Sequence, residues 1–267
     1  MLFKRDDKFK LGHVNGGKLR QAISLIQNNL NDIKNLYHNT VVCYVSIKSP
    51  QSEIISEVCK YYKVECVIVS FKTPKPNLPL SISQRNGARL IGLKSGYNSV
   101  LKSWTENNLG HYYIINMGFE SEGIFEVISE QVENLPVYLE NLIIPVGSGM
   151  NLIGILKGLD KYKKIVDNIY AVYVGRNPTN TIMKYYDGKQ TFRLIKYPKP
   201  YSTPIKMPIR FNEEFIYLDP IYEAKALDWF YFAVNNRMIE INSGKNLFWI
   251  IGKRNTNNYL LTELLWE

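Results

Sequence analysis

Four short stretches carry residue types that could do chemistry. In NGGKLRQ (15–21), two glycines permit close backbone approach and Lys18 follows them where a helical pattern opens. A lysine amine so placed can condense with an aldehyde once its surroundings expose the neutral form. The plainer reading is a solvated lysine after a glycine turn. In PVGSGMNLIGIL (145–156), an apolar run ends in Gly147, Ser148 and Gly149, and a helical pattern begins at Met150 and Asn151. Free N–H groups at such a helix start suit a phosphate, although glycine-rich turns also occur where nothing binds. In SPQSEIISE (49–57), Gln51, Ser52 and Glu53 stand between an apolar run and a helix, at the edge where open α/β sheets gather ligands. Helix capping accounts for these residues too. In YLDPIYEAKAL (217–227), Tyr222 and Glu223 fall in the first turn of a helix, where the dipole favours a glutamate whatever its use.

Elements are needed to hold these residues. Short β-branched and aromatic runs predict buried strands over 41–47, 65–71, 111–117, 141–147, 169–175 and 246–252. Helical spacing predicts helices over 18–33, 51–63, 123–135 and 150–162. A last helix is expected from Asp219 as N-cap and Pro220 as first residue, running to about Met238. This alternation predicts an α/β protein with largely parallel sheets and right-handed crossovers. The stretch 73–79 reads as a linker and 197–208 as an irregular, proline-rich loop, and neither marks a domain boundary.

Composition narrows the class. The chain has 267 residues, room for one large domain or two intimate ones. A hydrophobic share of 45% with 21% charged residues excludes disorder as the main state. No apolar run reaches the roughly 18 residues of a membrane span. The opening MLFKRDDKFKLGH has no apolar signal core, so a cytoplasmic protein is expected. Cys43, Cys59 and Cys66 lack CxxC spacing and read as reduced core residues, with no metal site expected. The net charge is 33 − 24 = +9. It fits either solubility or a polyanionic partner.

Taken in order, the four stretches resemble the pyridoxal-phosphate enzymes of the aminocyclopropane-carboxylate deaminase and D-cysteine desulfhydrase family, with the tryptophan-synthase-β-like fold. The likeness is carried by LFKRDDKFKLGHVNGGKLRQAI, SPQSEIISEVCKYYKVECVIV, YIINMGFESEG, PVGSGMNLIGILKGL and EEFIYLDPIYEAKAL. It covers nearly the whole chain, and GGK and LDPIYEAKAL are its most specific parts. The resemblance implies two intimately packed open parallel-sheet domains with helices on both faces. A large cofactor-binding domain would comprise 1–40 and 127–267, with a small α/β domain, 41–126, inserted. It implies pyridoxal 5'-phosphate as cofactor and Lys18 as the Schiff-base lysine that also moves the Cα proton. Gly147, Ser148, Gly149, Met150 and Asn151 would cradle the phosphate. Asn151 replaces a threonine there, a change that backbone binding tolerates. Glu223 would face the pyridine nitrogen, Gln51 and Glu53 would line the cofactor, and Ser52 would stand near the substrate. Tyr222 would lie over the reacting atoms, with Tyr201 as a second tyrosine. A homodimer is implied as well.

Two departures matter. Glu53 stands where the family has an asparagine beside the cofactor's phenolic oxygen, and a carboxylate there is unfavourable unless protonated or turned away. The turn GKRNTNN (252–258) replaces a "HTGG"-like one and brings Lys253 and Arg254 toward the substrate side. Between 184 and 210, seven basic residues (Lys184, Lys189, Arg193, Lys196, Lys199, Lys206, Arg210) face one acid, Asp187, a balance of 7 − 1 = +6. Tyr185, Tyr186, Phe192, Tyr197 and Tyr201 are interleaved, the mix a single-strand or flipped-base binder would use. A solvated basic face with core tyrosines is the competing reading. The leading expectation is a lyase or deaminase acting at the α-carbon of an amino acid. The alternative is a decarboxylase or related enzyme acting on an amino acid attached to a modified DNA base, as in viral DNA hypermodification, in host cytoplasm. The third reading is an inactive binding protein that kept the fold.

Overall fold

The computed structural model describes residues 1–75, 77–211, 213–242, 244–252, 254 and 261–267. It divides the chain into two compact units, one formed by Met1–Lys8 and Glu122–Lys253, the other by Phe9–Ser121 and Arg254–Glu267. The stretch 9–40, expected with the larger domain, lies in the second unit. Its helix Gly17–Asn28 packs on helix Gln51–Tyr62 of that unit. That packing follows from the buried stripe Leu19, Ala22, Leu25 and Ile26.

The first unit is built on a five-stranded parallel sheet. Its order is Leu2–Arg5, Asn246–Ile250, Tyr138–Val146, Ile165–Tyr173, Arg193–Lys196. The central strands are apolar on both faces, as a doubly covered parallel sheet requires. Ile143, Tyr170, Val172, Phe248 and Ile250 point to one face and join Ala224, Leu227 and Phe230 of helix Glu223–Asn235 in one core. Leu142, Ile144 and Val146, one residue out of phase, are buried on the other face. Helix Met150–Lys161 packs beside helix Phe125–Glu133 and on the strand Tyr138–Val146. An antiparallel hairpin, Pro208–Phe211 with Glu214–Tyr217, completes the unit together with helix Thr179–Tyr185.

The second unit holds a four-stranded parallel sheet ordered Arg89–Leu93, Glu65–Phe71, Thr40–Tyr44, Tyr113–Ile115. Val42, Tyr44, Val67, Val69 and Phe71 pack on Leu101 and Trp104 of helix Asn98–Leu109. Helix Leu78–Arg85 packs on helix Gln51–Tyr62. The chain's end runs along the outer strand, where the Glu267 amide donates to the Leu90 carbonyl.

Two expected helices change their bounds. The 18–33 helix breaks at Asn29, whose ψ of 13° interrupts it, and resumes as Leu30–Asn35. The last helix begins at Glu223 rather than at Pro220. The Asp219 carboxylate instead accepts the Ile221 and Tyr222 amides, each at 2.9 Å, and closes a turn ahead of the helix.

Candidate active site

In the first unit the glycine turn and Glu223 lie beyond the C-terminal ends of two neighbouring strands, the edge where ligands bind in parallel sheets. The strand Tyr138–Val146 runs into Gly147, Ser148 and Gly149, and helix Met150–Lys161 follows. Gly149, the residue that precedes the helix, has φ +96°, a conformation glycine adopts without strain. A Cβ on Gly149 would stand 3.3 Å from both Pro178 Cβ and Ile182 Cγ1. One on Gly147 would stand 3.3 Å from the Tyr222 ring. An added Cβ would thus crowd its neighbours at both glycines, and at Gly149 the positive φ also favours glycine. Met150 is buried in the core, so only its backbone can serve a ligand.

Tyr222 and Tyr201 meet edge to face, with centroids 5.8 Å apart. Gly147, Tyr222 and Tyr201 thus form one contiguous group. Glu223 is 1% exposed. Its carboxylate accepts the Gly252 amide at 2.8 Å and the Asp219 amide at 3.0 Å. Gly252 follows the strand Asn246–Ile250, so this glutamate also sits at the C-terminal edge. Burial, then the nearby Asp219, pushes its pKa up to about 8 against the two amide bonds and with a further push from Asp7.

In the second unit, Lys18 is the second residue of helix Gly17–Asn28 and half-buried. Gly16, which precedes the helix, has φ 94°, and its amide donates to the Phe9 carbonyl, which closes the turn. Gln51, Ser52 and Glu53 begin helix Gln51–Tyr62 beyond the strand Thr40–Tyr44, and all three side chains are buried. Gln51 is committed to the chain itself. Its amide nitrogen donates to the Asn116 carbonyl at 2.8 Å and its oxygen accepts the Gly118 amide at 2.6 Å. It positions the turn after the strand Tyr113–Ile115. Ser52 Oγ donates to the Ser49 carbonyl at 3.3 Å. Arg254 donates to the Lys48 carbonyl at 2.8 Å, three residues before Gln51. Lys253 and 255–258 of the altered turn lie outside the described residues.

Sequence reasoning named neither Asn116 nor Gly118 as a candidate, although the buried Gln51 side chain binds both. The sequence signal for Gly118 is a glycine just past an apolar run. In the basic stretch, all seven cations are exposed. The interleaved aromatics mostly serve packing. Tyr185 stacks edge-on against Phe125, the Tyr186 hydroxyl donates to Asp160, and Tyr197 is buried with its hydroxyl on Asp228. The expected stacking platform is thus reduced to a basic face.

No family model matches the chain. Its fold is that of the tryptophan-synthase-β-like, fold type II enzymes. An aminocyclopropane-carboxylate deaminase homologue superposes with a TM-score of 0.77 at 19% identity, over 94% of this chain and 83% of that one. The processed form of threonine deaminase isoform 2 from Solanum lycopersicum gives 0.65 at 12% identity, over 97% and 76%. In sequence, the chain is 31% identical over 206 residues to the O-seryl-dTMP PLP-dependent decarboxylase of Salmonella phage ViI. That match covers 66% of this chain and 47% of the relative, so the chain spans about half the relative's length.

Proposed function

We propose that this chain is a pyridoxal-phosphate-dependent enzyme acting at the α-carbon of an amino acid or amino-acid-like group. The observation that carries the reading is the edge of the first sheet. There a left-handed glycine opens a helix, and a buried glutamate stands at the end of the adjoining strand. These residues fit the cofactor. Gly147 to Asn151 would hold its phosphate through backbone amides, where an added Cβ at either glycine would crowd Tyr222 or Pro178. Glu223 would face its ring nitrogen. When bound, the cofactor supplies an electron sink for the charge left at Cα.

The chain's own groups do the rest. Lys18 would hold the cofactor through its side-chain amine, and the same amine would move a proton at the substrate's α-carbon. At neutral pH the buried Glu223 carboxyl keeps its proton, and beside the ring nitrogen it would hold or give up that proton there. Ser52 would stand near the substrate, and Tyr222 with Tyr201 would cover the reacting atoms. Gln51 acts by holding the 116–118 turn, with Glu53 beside it. The test is spectroscopic. Purified chain given pyridoxal phosphate should gain the visible absorbance of lysine-bound cofactor, and Lys18→Ala should lose it. An identical spectrum in the two proteins would remove Lys18 from the chemistry.

The phage relative favours a second, narrower reading, a decarboxylase whose amino acid is attached to a DNA nucleotide. The exposed cations of 184–210 support it, as phosphate contacts. Free amino acids and amino-acid-modified DNA, incubated side by side and followed by mass spectrometry, separate the two. Turnover confined to free amino acids sinks the nucleotide reading. The proposal includes a cytoplasmic homodimer, in keeping with three buried free cysteines. Its mass by light scattering checks the dimer.

A further inference from the structure

Tyr201 sits on a segment, 197–207, that has neither helix nor strand. Its ring is nevertheless held at Tyr222, so something outside the segment must order it. Lys225 is fully buried, at 0% exposure, on helix Glu223–Asn235. Its Nζ donates to the Pro200 carbonyl at 2.6 Å and lies 5.7 Å from the centroid of the Tyr197 ring. Three residues on, Asp228 accepts the Tyr197 hydroxyl at 2.5 Å. One helix face therefore grips both Tyr197 and Pro200, immediately before Tyr201. Pro200 O also accepts the Thr203 amide at 3.2 Å, which closes the turn that carries Tyr201.

A buried ammonium is costly, and an apolar side chain of similar length would fill the same volume without that cost. Burial pulls the Lys225 pKa down, with Asp219 opposing and Lys199 adding repulsion. Among the described residues, Lys225 makes no ion pair. Its charge is directed at a carbonyl and a ring of one loop. We propose that Lys225 is a positioning residue, whose ammonium pins the 197–203 turn so that Tyr201 is presented to Tyr222. This rests on the reading of these two tyrosines as the pair over the reacting atoms.

Hydrogen exchange of the full chain tests the pin without any cofactor. In Lys225→Met, the Thr203 amide should exchange about tenfold faster or more, while the amides of the strand Tyr138–Val146 keep their protection. Lys225→Gln, which retains a donor on a shorter stem, should show the same local loss. Unchanged Thr203 exchange in a folded variant overturns the proposal. So does global unfolding of both variants, which would make Lys225 a residue of the whole core. Kinetics test the link to Tyr201. Lys225→Met should lower kcat with KM little changed, and adding Tyr201→Phe should cause less than the product of the two single losses. Fully multiplicative losses overturn the link. A wild-type chain that takes up no pyridoxal phosphate would overturn the enzymatic reading alone, because Thr203 exchange is read without it.

Discussion

Glu223 shows how a single side chain can be set by what surrounds it. Its ordinary pKa is 4.5 and the site pushes it to about 8. Between those values the unfolded chain has this carboxyl ionised and the folded chain keeps it protonated. The native state then binds the extra proton, so stability is fully present at low pH and falls as pH rises through about 8. Urea unfolding of the cofactor-free chain should therefore show a lower midpoint at about pH 8.5 than at about pH 5. Glu223→Gln should flatten that slope. It should also cost about 1–3 kcal/mol, because one of the two amides, Gly252 or Asp219, would face an NH2 group. Gly149 is the second sensitive residue. Gly149→Ala forces a side chain into φ +96° and against Pro178 and Ile182. We expect a loss of about 1–2 kcal/mol and weaker uptake of pyridoxal phosphate, read by thermal melting and titration.

At the scale of elements, the helix that follows the glycine turn is held by small residues. A Cβ on Gly154 would lie 2.5 Å from Ile128 Cβ, and one on Gly158 would lie 2.6 Å from Val132 Cγ2. Helices Met150–Lys161 and Phe125–Glu133 therefore approach more closely than any side chain allows. The Ser129 hydroxyl uses that approach to reach the Gly154 carbonyl at 3.0 Å. Gly154→Ala should force the helices apart at a cost of about 1–3 kcal/mol. Since the same helix starts at the candidate phosphate turn, cofactor affinity should fall with stability. A melting temperature unchanged by Gly154→Ala would contradict the packing argument.

At the scale of the whole molecule, both units are parallel sheets, and the candidate residues of each lie beyond strand C-termini or at helix starts. No described helix is long and apolar enough to cross a membrane. The excess of nine positive charges is spread unevenly, with six of net excess between 184 and 210. If this face holds a nucleic acid backbone, affinity must fall steeply with salt. The triple variant Lys199→Ala, Lys206→Ala, Arg210→Ala should weaken single-stranded DNA binding across sequences. It should also reduce the log–log salt slope by about 0.7 for each phosphate that is no longer neutralised. Binding indifferent to salt would assign the charge to solubility.

The interior of this protein was legible in its sequence. Strands such as Thr40–Tyr44, Glu65–Phe71 and Tyr138–Val146 are central and buried on both faces, so an unbroken apolar run marks them. Among the described residues, seven strands escaped notice: Leu2–Arg5, Arg89–Leu93 and Arg193–Lys196 are edges of the two parallel sheets, and Lys10–Leu11, Val14–Asn15, Pro208–Phe211 and Glu214–Tyr217 form two-stranded hairpins. Edges are short, half-exposed and charged, because charge there discourages pairing with other chains, and their pattern merges with that of loops. Among site residues, the glycines and Lys18 stood out by type and spacing. What no spacing could reveal was which groups satisfy which. Gln51 is bound to its own unit's 116–118 turn, Glu223 is protonated by burial beside Asp219, and Lys225 is sealed under an irregular loop. Each depends on neighbours from segments far apart in the chain, which meet only once the sheets have brought them together. Residue type and periodicity therefore determined the fold class and the candidate chemistry. Burial and hydrogen-bond partnership, which are properties of packed space, were decided by tertiary structure alone.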